Sequence, residues 1–251
     1  MNITFNILFW KGFDFQNRFD NLKFSWYRLN KFCEYAQTKN VEVKPLLFDF
    51  SEEKNLEDSI HIPYPNGEYK RSEKINRVLE YNEINYNPNL ICIVDSDVFF
   101  EEDQYDKLLD IINNYDKNIV YVPTLSDIMF KSEVDFINKT IHNPKVTQRV
   151  LDGLGAFFIV NFKNIFNIGG FDERFIVWGG EDDDMRSRLI NSGSKIERIP
   201  IKLFHLPHES LMTSAHKSIE YHQQVSIINN NSIKTEYSLI SKKYLNECDT
   251  Y

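Results

Sequence analysis

The stretch NLICIVDSDVFF (residues 89–100) runs from a block of apolar residues, Leu90 to Val94, straight into Asp95-Ser96-Asp97. A strand covered on both faces reads as a continuous apolar run, which assigns 89–100 to the middle of a parallel sheet. Side chains two apart on a strand share a face, so both carboxylates are expected to point into one crevice. Ligands of open α/β sheets bind outside the carboxyl ends of the strands. Two hard oxygen donors at such an end suit Mg²⁺ or Mn²⁺, which can bridge to substrate phosphates. A strand end capped by turn-forming Asp residues would read the same way, so the pair alone leaves both open.

Outward from this strand, β-rich runs alternate with helical patterns, the signature of α/β layering. ITFNILFW (3–10) reads as a strand, and KFSWYRLNKFCEYAQTKN (23–40) as an amphipathic helix. VEVKPLLFDF (41–50) reads as a strand bent or edged at Pro45, followed by a short extended piece at 59–67. Helical spacing recurs over 68–81 and 103–115, and strand-like runs over 118–124 and 153–161. Residues 131–150 are polar and ambiguous. A short helix through Ile165 is expected to stop at Gly169-Gly170. EDDDMRSRLINSG (181–193) reads as a helix and 194–208 as strand and exit loop. The predicted architecture is a mostly parallel central sheet flanked by helices. With no repeat or linker, a single domain over 1–251 is expected.

A chain of 251 residues buries roughly 70–75% of its unfolded surface and needs no staples. Its net charge of −8 argues against non-specific nucleic-acid binding, but not against an anionic nucleotide accompanied by a metal ion. Cys33, Cys92 and Cys248 are too scattered for a zinc knuckle or a disulfide framework, and a reducing compartment suits them. The polar opening MNITFNILFWKGF carries no leader or anchor pattern. These features predict a cytoplasmic protein with at most peripheral contact to the inner membrane face.

The most unusual stretch is FDERFIVWGGEDDD (171–184). Acids in a helix's first turn complement its dipole by about 0.3–1 kcal/mol each, but four in a row repel one another. The glycines before them permit close approach by a ligand. A carboxylate held there could act as a general base toward a hydroxyl, and Trp178 could stack on a sugar. His205-Leu206-Pro207-His208 follows a strand-like run. An imidazole there would add a borderline ligand that favours Mn²⁺ over Ca²⁺. His205 is the preferred ligand, with His208 as substitute or second ligand. Lys70, Arg71 and Lys74 of the 68–81 helix could meet a diphosphate, although a solvated helix face looks much the same. Gly153-Leu154-Gly155 is compatible with a sugar passing close to the backbone or with tight strand packing. GxGxxG, GxxxxGK[ST], GxSxG and HExxH are all absent, which removes dinucleotide oxidoreductases, P-loop enzymes, serine hydrolases and zincins.

In order, the strand ending in DSD, then GLGAFFIV, IGGFDERFIVWGGEDDDMRSRL and FHLPH resemble the GT-A glycosyltransferases. The branch with a galactosyltransferase-type C-terminal half is the most similar, including β-1,4-galactosyltransferases and bacterial chondroitin-type polymerases. The match runs from about Lys70 to His208. The resemblance implies a nucleotide-binding half over about 1–100, an acceptor and catalytic half over about 101–210, and a peripheral segment over 211–251. It implies a UDP-sugar donor, a glycan acceptor and a Mn²⁺ or Mg²⁺ cofactor. Asp95 and Asp97 would hold the metal on the diphosphate, with Ser96 beside the donor and His205 or His208 completing the shell. Asp182 would match the catalytic base. Trp178, Gly180, Glu181 and Asp183 would shape the acceptor site, and Gly153 and Gly155 would lie beside the donor sugar. The family's nucleotide loop is replaced here by LFWKGFDFQNR, leaving Trp10 and Asp49 at strand ends as the candidates for the base. An α-linked donor of galactose or N-acetylgalactosamine type would then give a β-linked product.

Two rivals use the same residues. A nucleotidyltransferase also needs paired acids and a metal, but has little use for Trp178-Gly179-Gly180. A non-catalytic carbohydrate- or Ca²⁺-binding module would use the acids and Trp178 without nucleotide.

Overall fold

The computed structural model describes residues 2–10, 15–65, 70–129, 145–152, 154–177, 179–208, 223, 226–228 and 232–241. The strands are β1 (Asn2–Trp10), β2 (Glu42–Phe50), β3 (Ile60–His61), β4 (Leu90–Asp95), β5 (Val98–Phe99), β6 (Ile119–Met129), β7 (Lys145–Asp152), β8 (Phe157–Asn161) and β9 (Lys195–His205). The helices are α1 (Phe15–Thr38), α2 (Arg71–Asn85), α3 (Tyr105–Asn113), α4 (Phe162–Asn167) and α5 (Glu181–Asn191). Along one sheet the order is β3-β2-β1-β4-β8-β6-β9-β5, with β7 paired to β6.

The parallel part is β3-β2-β1-β4. Beyond β4 the sheet is mixed: β8 is antiparallel to β4 and β6, β9 is parallel to β6, and β5 is antiparallel to β9. Pro45 sits where the expected edge is, because β3 pairs only with Phe48 and Asp49 and leaves that side of Pro45 unladdered.

Alternation along the strands divides the core between two faces. Ile3, Phe5, Ile7 and Phe9 of β1 pack with Leu22, Leu29 and Phe32 of α1 and with Leu108 and Ile112 of α3. Phe48 of β2 and Ile91 and Ile93 of β4 face the other way, onto Ile75, Val78 and Leu79 of α2, Ile165 of α4, and Met185 and Leu189 of α5. Helices therefore cover both faces of the sheet, as layered α/β packing requires. Cys33 and Cys92 are buried free thiols. Burial pushes the Cys33 thiol up to about 12, so it behaves as an apolar filler. Cys248 lies outside the described residues.

One departure from the sequence reading places the site. Residues 89–100 are two strands, not one: β4 stops at Asp95, Ser96 and Asp97 turn, and β5 pairs at the far end of the sheet order. Only two residues join the fourth strand in that order to the last. The sheet must therefore curl until β5 and β9 return beside the end of β4. The Asp95-Ser96-Asp97 turn is the seam of that curl. Among the described residues, no helix is long and apolar enough to cross a membrane.

Candidate active site

At the seam the backbone fixes which side chains meet. Val98 of β5 pairs with His205, the last residue of β9, and the Leu206 N–H donates to the Asp97 carbonyl at 2.8 Å. Asn21 of α1 donates to the Pro207 carbonyl at 3.1 Å and ties down the exit loop. Asp97, His205 and His208 thereby converge, with one potential ligand atom from each lying within 4.8 Å of the others. His208 Nε2 is 3.0 Å from Asp97 Oδ2, and His205 Nε2 is 3.8 Å from Asp97 Oδ1. Burial alone would raise the Asp97 carboxyl, but the hydrogen bond from His208 and the positive charge of His205 and His208 when protonated hold it well below the usual carboxylate range. One carboxylate and two imidazoles form a donor set suited to a borderline divalent cation.

Asp95 belongs to a second cluster, organised by Arg71 at the start of α2. The Arg71 guanidinium donates to Asp95 Oδ1 at 3.1 Å, to Asp182 Oδ1 at 2.9 Å and to the Gly155 carbonyl, and Glu181 lies 3.8 Å away. Burial pushes the Asp95 carboxyl up to about 6 against the pull of Arg71, with Asp97 and Asp182 adding repulsion. Its side chain keeps 35% of its surface exposed, and solvent there tempers the rise.

Asp182 reaches this cluster because of the glycines that precede it. Gly179 and Gly180 take φ of 104° and 91°, a region that disfavours any side chain, and turn the chain sharply into α5. Glu181, 3% exposed, folds back so that its carboxylate accepts from the Gly179 N–H at 3.0 Å. Asp182 then projects toward Arg71. A Cβ added at Gly155 would come within 2.6 Å of Asp182 Oδ2, so glycine at 155 makes room for the carboxylate.

The four acids of 181–184 separate into distinct settings. Glu181 caps the turn and Asp182 faces Arg71. Asp183 is exposed, and its carbonyl accepts from the Ser187 hydroxyl. Asp184 is buried against Arg188, which also donates to the carbonyls of Ile168 and Gly170. A polar cavity of about 330 Å³ lies against α5 at Asp184 and Arg188, lined also by Asp172, Arg174 and Thr235. Two of its ion pairs are internal: Arg188 holds Asp184, and Arg174 holds Asp172, to which Thr235 also donates. That network anchors residues 232–241 and stands apart from the seam.

Trp10 and Asp49 lie at the carboxyl ends of β1 and β2, with the start of α2 beside them. Lys70 precedes α2 with φ of 27°, and Lys74, 3% exposed, places its ammonium 4.6 Å from the Trp10 ring and 4.5 Å from that of Tyr64. Lys74 thus meets aromatic faces, whereas Arg71 meets carboxylates. Asp49 is fully buried, and its Oδ2 accepts from the Asn55 N–H at 2.7 Å. Asp49 Oδ1 and the hydroxyls of Ser51 and Ser72 are buried with no hydrogen-bond partner among the described residues. Ser96 is half-buried in the seam turn. Trp178 and Gly153 lie outside the described residues.

Two residues that sequence reasoning passed over belong at the seam. Asp127 of β6 is register-paired with His205, and its Oδ1 lies 2.9 Å from His205 Nδ1. Arg18 of α1 lies 3.3 Å from His208 Nδ1. Asp127 lies three residues past the strand-like run of 118–124, inside the longer β6, and nothing local marks it as part of a site. Nothing local marks Arg18.

Residues 138–209 match a family described as the N-terminal domain of galactosyltransferase. No curated protein sequence matches the chain significantly. Among solved structures, the catalytic domain of Drosophila beta1,4-galactosyltransferase 7 in complex with xylobiose superposes with a TM-score of 0.51 at 15% identity, covering 79% of this chain and 65% of that one. GalNAc-T7 with UDP, GalNAc and Mn²⁺ superposes at 0.54 and 14% identity, covering 83% of this chain and 44% of that one. A mutant of the Drosophila enzyme in complex with manganese, UDP-Gal and xylobiose gives 0.50 at 15% identity, with 80% and 66% covered. The chain spans less than two thirds of the length of each. Its fold is that of the GT-A glycosyltransferases, and its residues 138–209 are similar to the galactosyltransferase family.

Proposed function

We propose that the protein is a metal-dependent inverting glycosyltransferase. It moves a sugar of galactose or N-acetylgalactosamine type from a UDP-sugar to a hydroxyl of a glycan acceptor. The observation that carries this reading is the seam turn, which sets two chemically different clusters side by side. Asp97 joins two imidazoles, while Asp95, two residues away, joins Arg71 and Asp182. A charge-neutralising site thus adjoins a positioned carboxylate base. The solved neighbours with UDP, GalNAc, UDP-Gal and manganese support the same assignment.

Asp97, His205 and His208 would hold the cation, and their nitrogen donors favour Mn²⁺ over Mg²⁺, which prefers an all-oxygen shell. When bound, the cation would supply charge neutralisation on the diphosphate. At the base end, Asp49 Oδ1, Ser51 and Ser72 offer buried polar atoms that call for partners. A carboxylate oxygen accepts hydrogen bonds, and the imide N–H of uracil is a matching donor. Trp10 and Lys74 flank that end, and Lys70 and Ser96 would line the way to the diphosphate. Gly153 and Gly155 would lie along the donor sugar, and Trp178, Gly180, Glu181 and Asp183 around the acceptor.

Asp182 accepts the proton of the acceptor hydroxyl as its oxygen forms a bond to the anomeric carbon. The bond from that carbon to the diphosphate oxygen breaks with its electron pair leaving on UDP. Arg71 holds one oxygen of Asp182 and one of Asp95, so it fixes the base relative to the donor end of the site. A single displacement from the opposite face inverts the anomeric configuration.

A thermal-shift panel of nucleotide sugars, each with and without Mn²⁺, tests the assignment. A UDP-sugar should raise the melting temperature only when the metal is present. Turnover of a nucleoside triphosphate with release of pyrophosphate would point to a nucleotidyltransferase instead. Glycan binding with no nucleotide dependence would point to a binding module.

A further inference from the structure

The two histidines of the seam have opposite neighbours on their far nitrogens. His205 Nδ1 faces Asp127 Oδ1 at 2.9 Å, whereas His208 Nδ1 faces an Arg18 guanidinium nitrogen at 3.3 Å. A metal ion takes its imidazole ligands neutral, and a neutral imidazole carries one N–H. A carboxylate can only accept, so the proton of His205 sits on Nδ1; a guanidinium can only donate, so His208 Nδ1 must accept and its proton sits on Nε2. That Nε2–H is placed to donate to Asp97 Oδ2 at 3.0 Å. Both Nε2 atoms point toward Asp97, but only that of His205 presents a lone pair.

We infer that Asp127 is a positioning residue that readies His205 as the first imidazole ligand, and that Arg18 holds His208 out of the metal shell until its guanidinium moves away. The inference rests on the metal reading above and deepens it. Register makes the Asp127 contact durable: β6 and β9 run parallel with Asp127 directly opposite His205. A second-sphere carboxylate on the distal nitrogen of a metal-bound histidine fixes both tautomer and ring orientation. The Arg18 guanidinium also lies 5.9 Å from the Trp10 ring at the mouth of β1, a contact it can keep when it leaves His208. For His208 to bind, its ring proton must pass from Nε2 to Nδ1, which then cannot face a guanidinium donor.

Long-range ¹H–¹⁵N spectra of the metal-free protein, recorded at a pH high enough that both imidazoles are neutral, read the tautomers directly. His205 should carry its proton on Nδ1 and His208 on Nε2. In Arg18→Ala, His208 should shift toward a mixture while His205 stays as it was, a change that loss of positive charge alone would not produce. Mn²⁺ affinity, measured without nucleotide by electron paramagnetic resonance, should fall about 10–100-fold in Asp127→Ala. Asp127→Asn keeps an amide oxygen that accepts from Nδ1–H, and should retain most of the affinity. Absence of Mn²⁺ binding by the unaltered protein would overturn both the metal reading and this inference. Mn²⁺ binding that Asp127→Ala leaves unchanged, or both histidines in one tautomer, would overturn the inference alone.

Discussion

Arg71 and Asp182, 111 positions apart in the chain, are joined by a hydrogen bond of 2.9 Å, and the same guanidinium reaches Asp95 at 3.1 Å. One cation therefore couples the acid at the end of the central strand to the acid at the start of α5. Arg71→Ala would leave Asp95, Glu181 and Asp182 without the charge they share. Hydrogen bonds to charged groups contribute about 1.5–3 kcal/mol, so the variant should lose stability of that order in denaturant titration. Arg71→Lys should recover much of the stability but not the fork that aligns two carboxylates, and its turnover should stay at least tenfold low.

Asp182 is expected to carry the chemical step. Asp182→Asn preserves shape and removes the proton acceptor, so kcat should fall by about 10²–10⁴ with donor affinity little changed. Gly155→Ala should act on the same residue from outside, because its Cβ would press to 2.6 Å of Asp182 Oδ2. Steady-state kinetics alongside Mn²⁺ titration should show reduced turnover with unaltered metal binding.

Asp97→Ala removes the carboxylate common to both histidine contacts. Calorimetry with Mn²⁺ present should show loss of UDP binding, while circular dichroism should show a folded variant with a lowered melting temperature, because the buried pairing with His208 is lost. His205→Ala should weaken binding less, since it removes one ligand of several.

Arg188 is a structural counterpart to Arg71. It is 1% exposed, pairs with Asp184 at 2.7 Å and donates to the carbonyls of Ile168 and Gly170. Arg188→Met would strand a buried carboxylate, at a cost of about 3–5 kcal/mol. For a chain of this length that corresponds to a fall of about 6–20 °C in melting temperature, measurable by calorimetry.

The layering was legible because alternation and helical spacing are local signals. ITFNILFW, VEVKPLLFDF and EDDDMRSRLINSG became β1, β2 and α5 with boundaries shifted by a residue or two. The break between Asp95 and Val98 was not legible. The partners of β5 lie in β9, more than 100 residues away, and apolar content cannot distinguish one long strand from two that part company. Asp97 could be read as a ligand from its motif, but its separation from Asp95 into a different cluster follows from that break. Asp127 and Arg18 were hidden for the same reason: each matters through a histidine some 80 or 190 positions distant. The contrasting settings of Asp182, Asp183 and Asp184 follow from helix phase once the turn at Gly179-Gly180 is set, and a run of four acids does not reveal that phase.

The anomeric configuration of the product tests the central claim most directly. The protein, Mn²⁺, an α-linked UDP-galactose or UDP-N-acetylgalactosamine donor and a glycan acceptor would be followed by proton NMR through the anomeric coupling constant. The account predicts release of UDP and a β-linked product that forms only when the metal is present. An α-linked product would contradict the single displacement by Asp182, and transfer that proceeds undiminished without a divalent cation would contradict the role given to Asp97 and the two histidines.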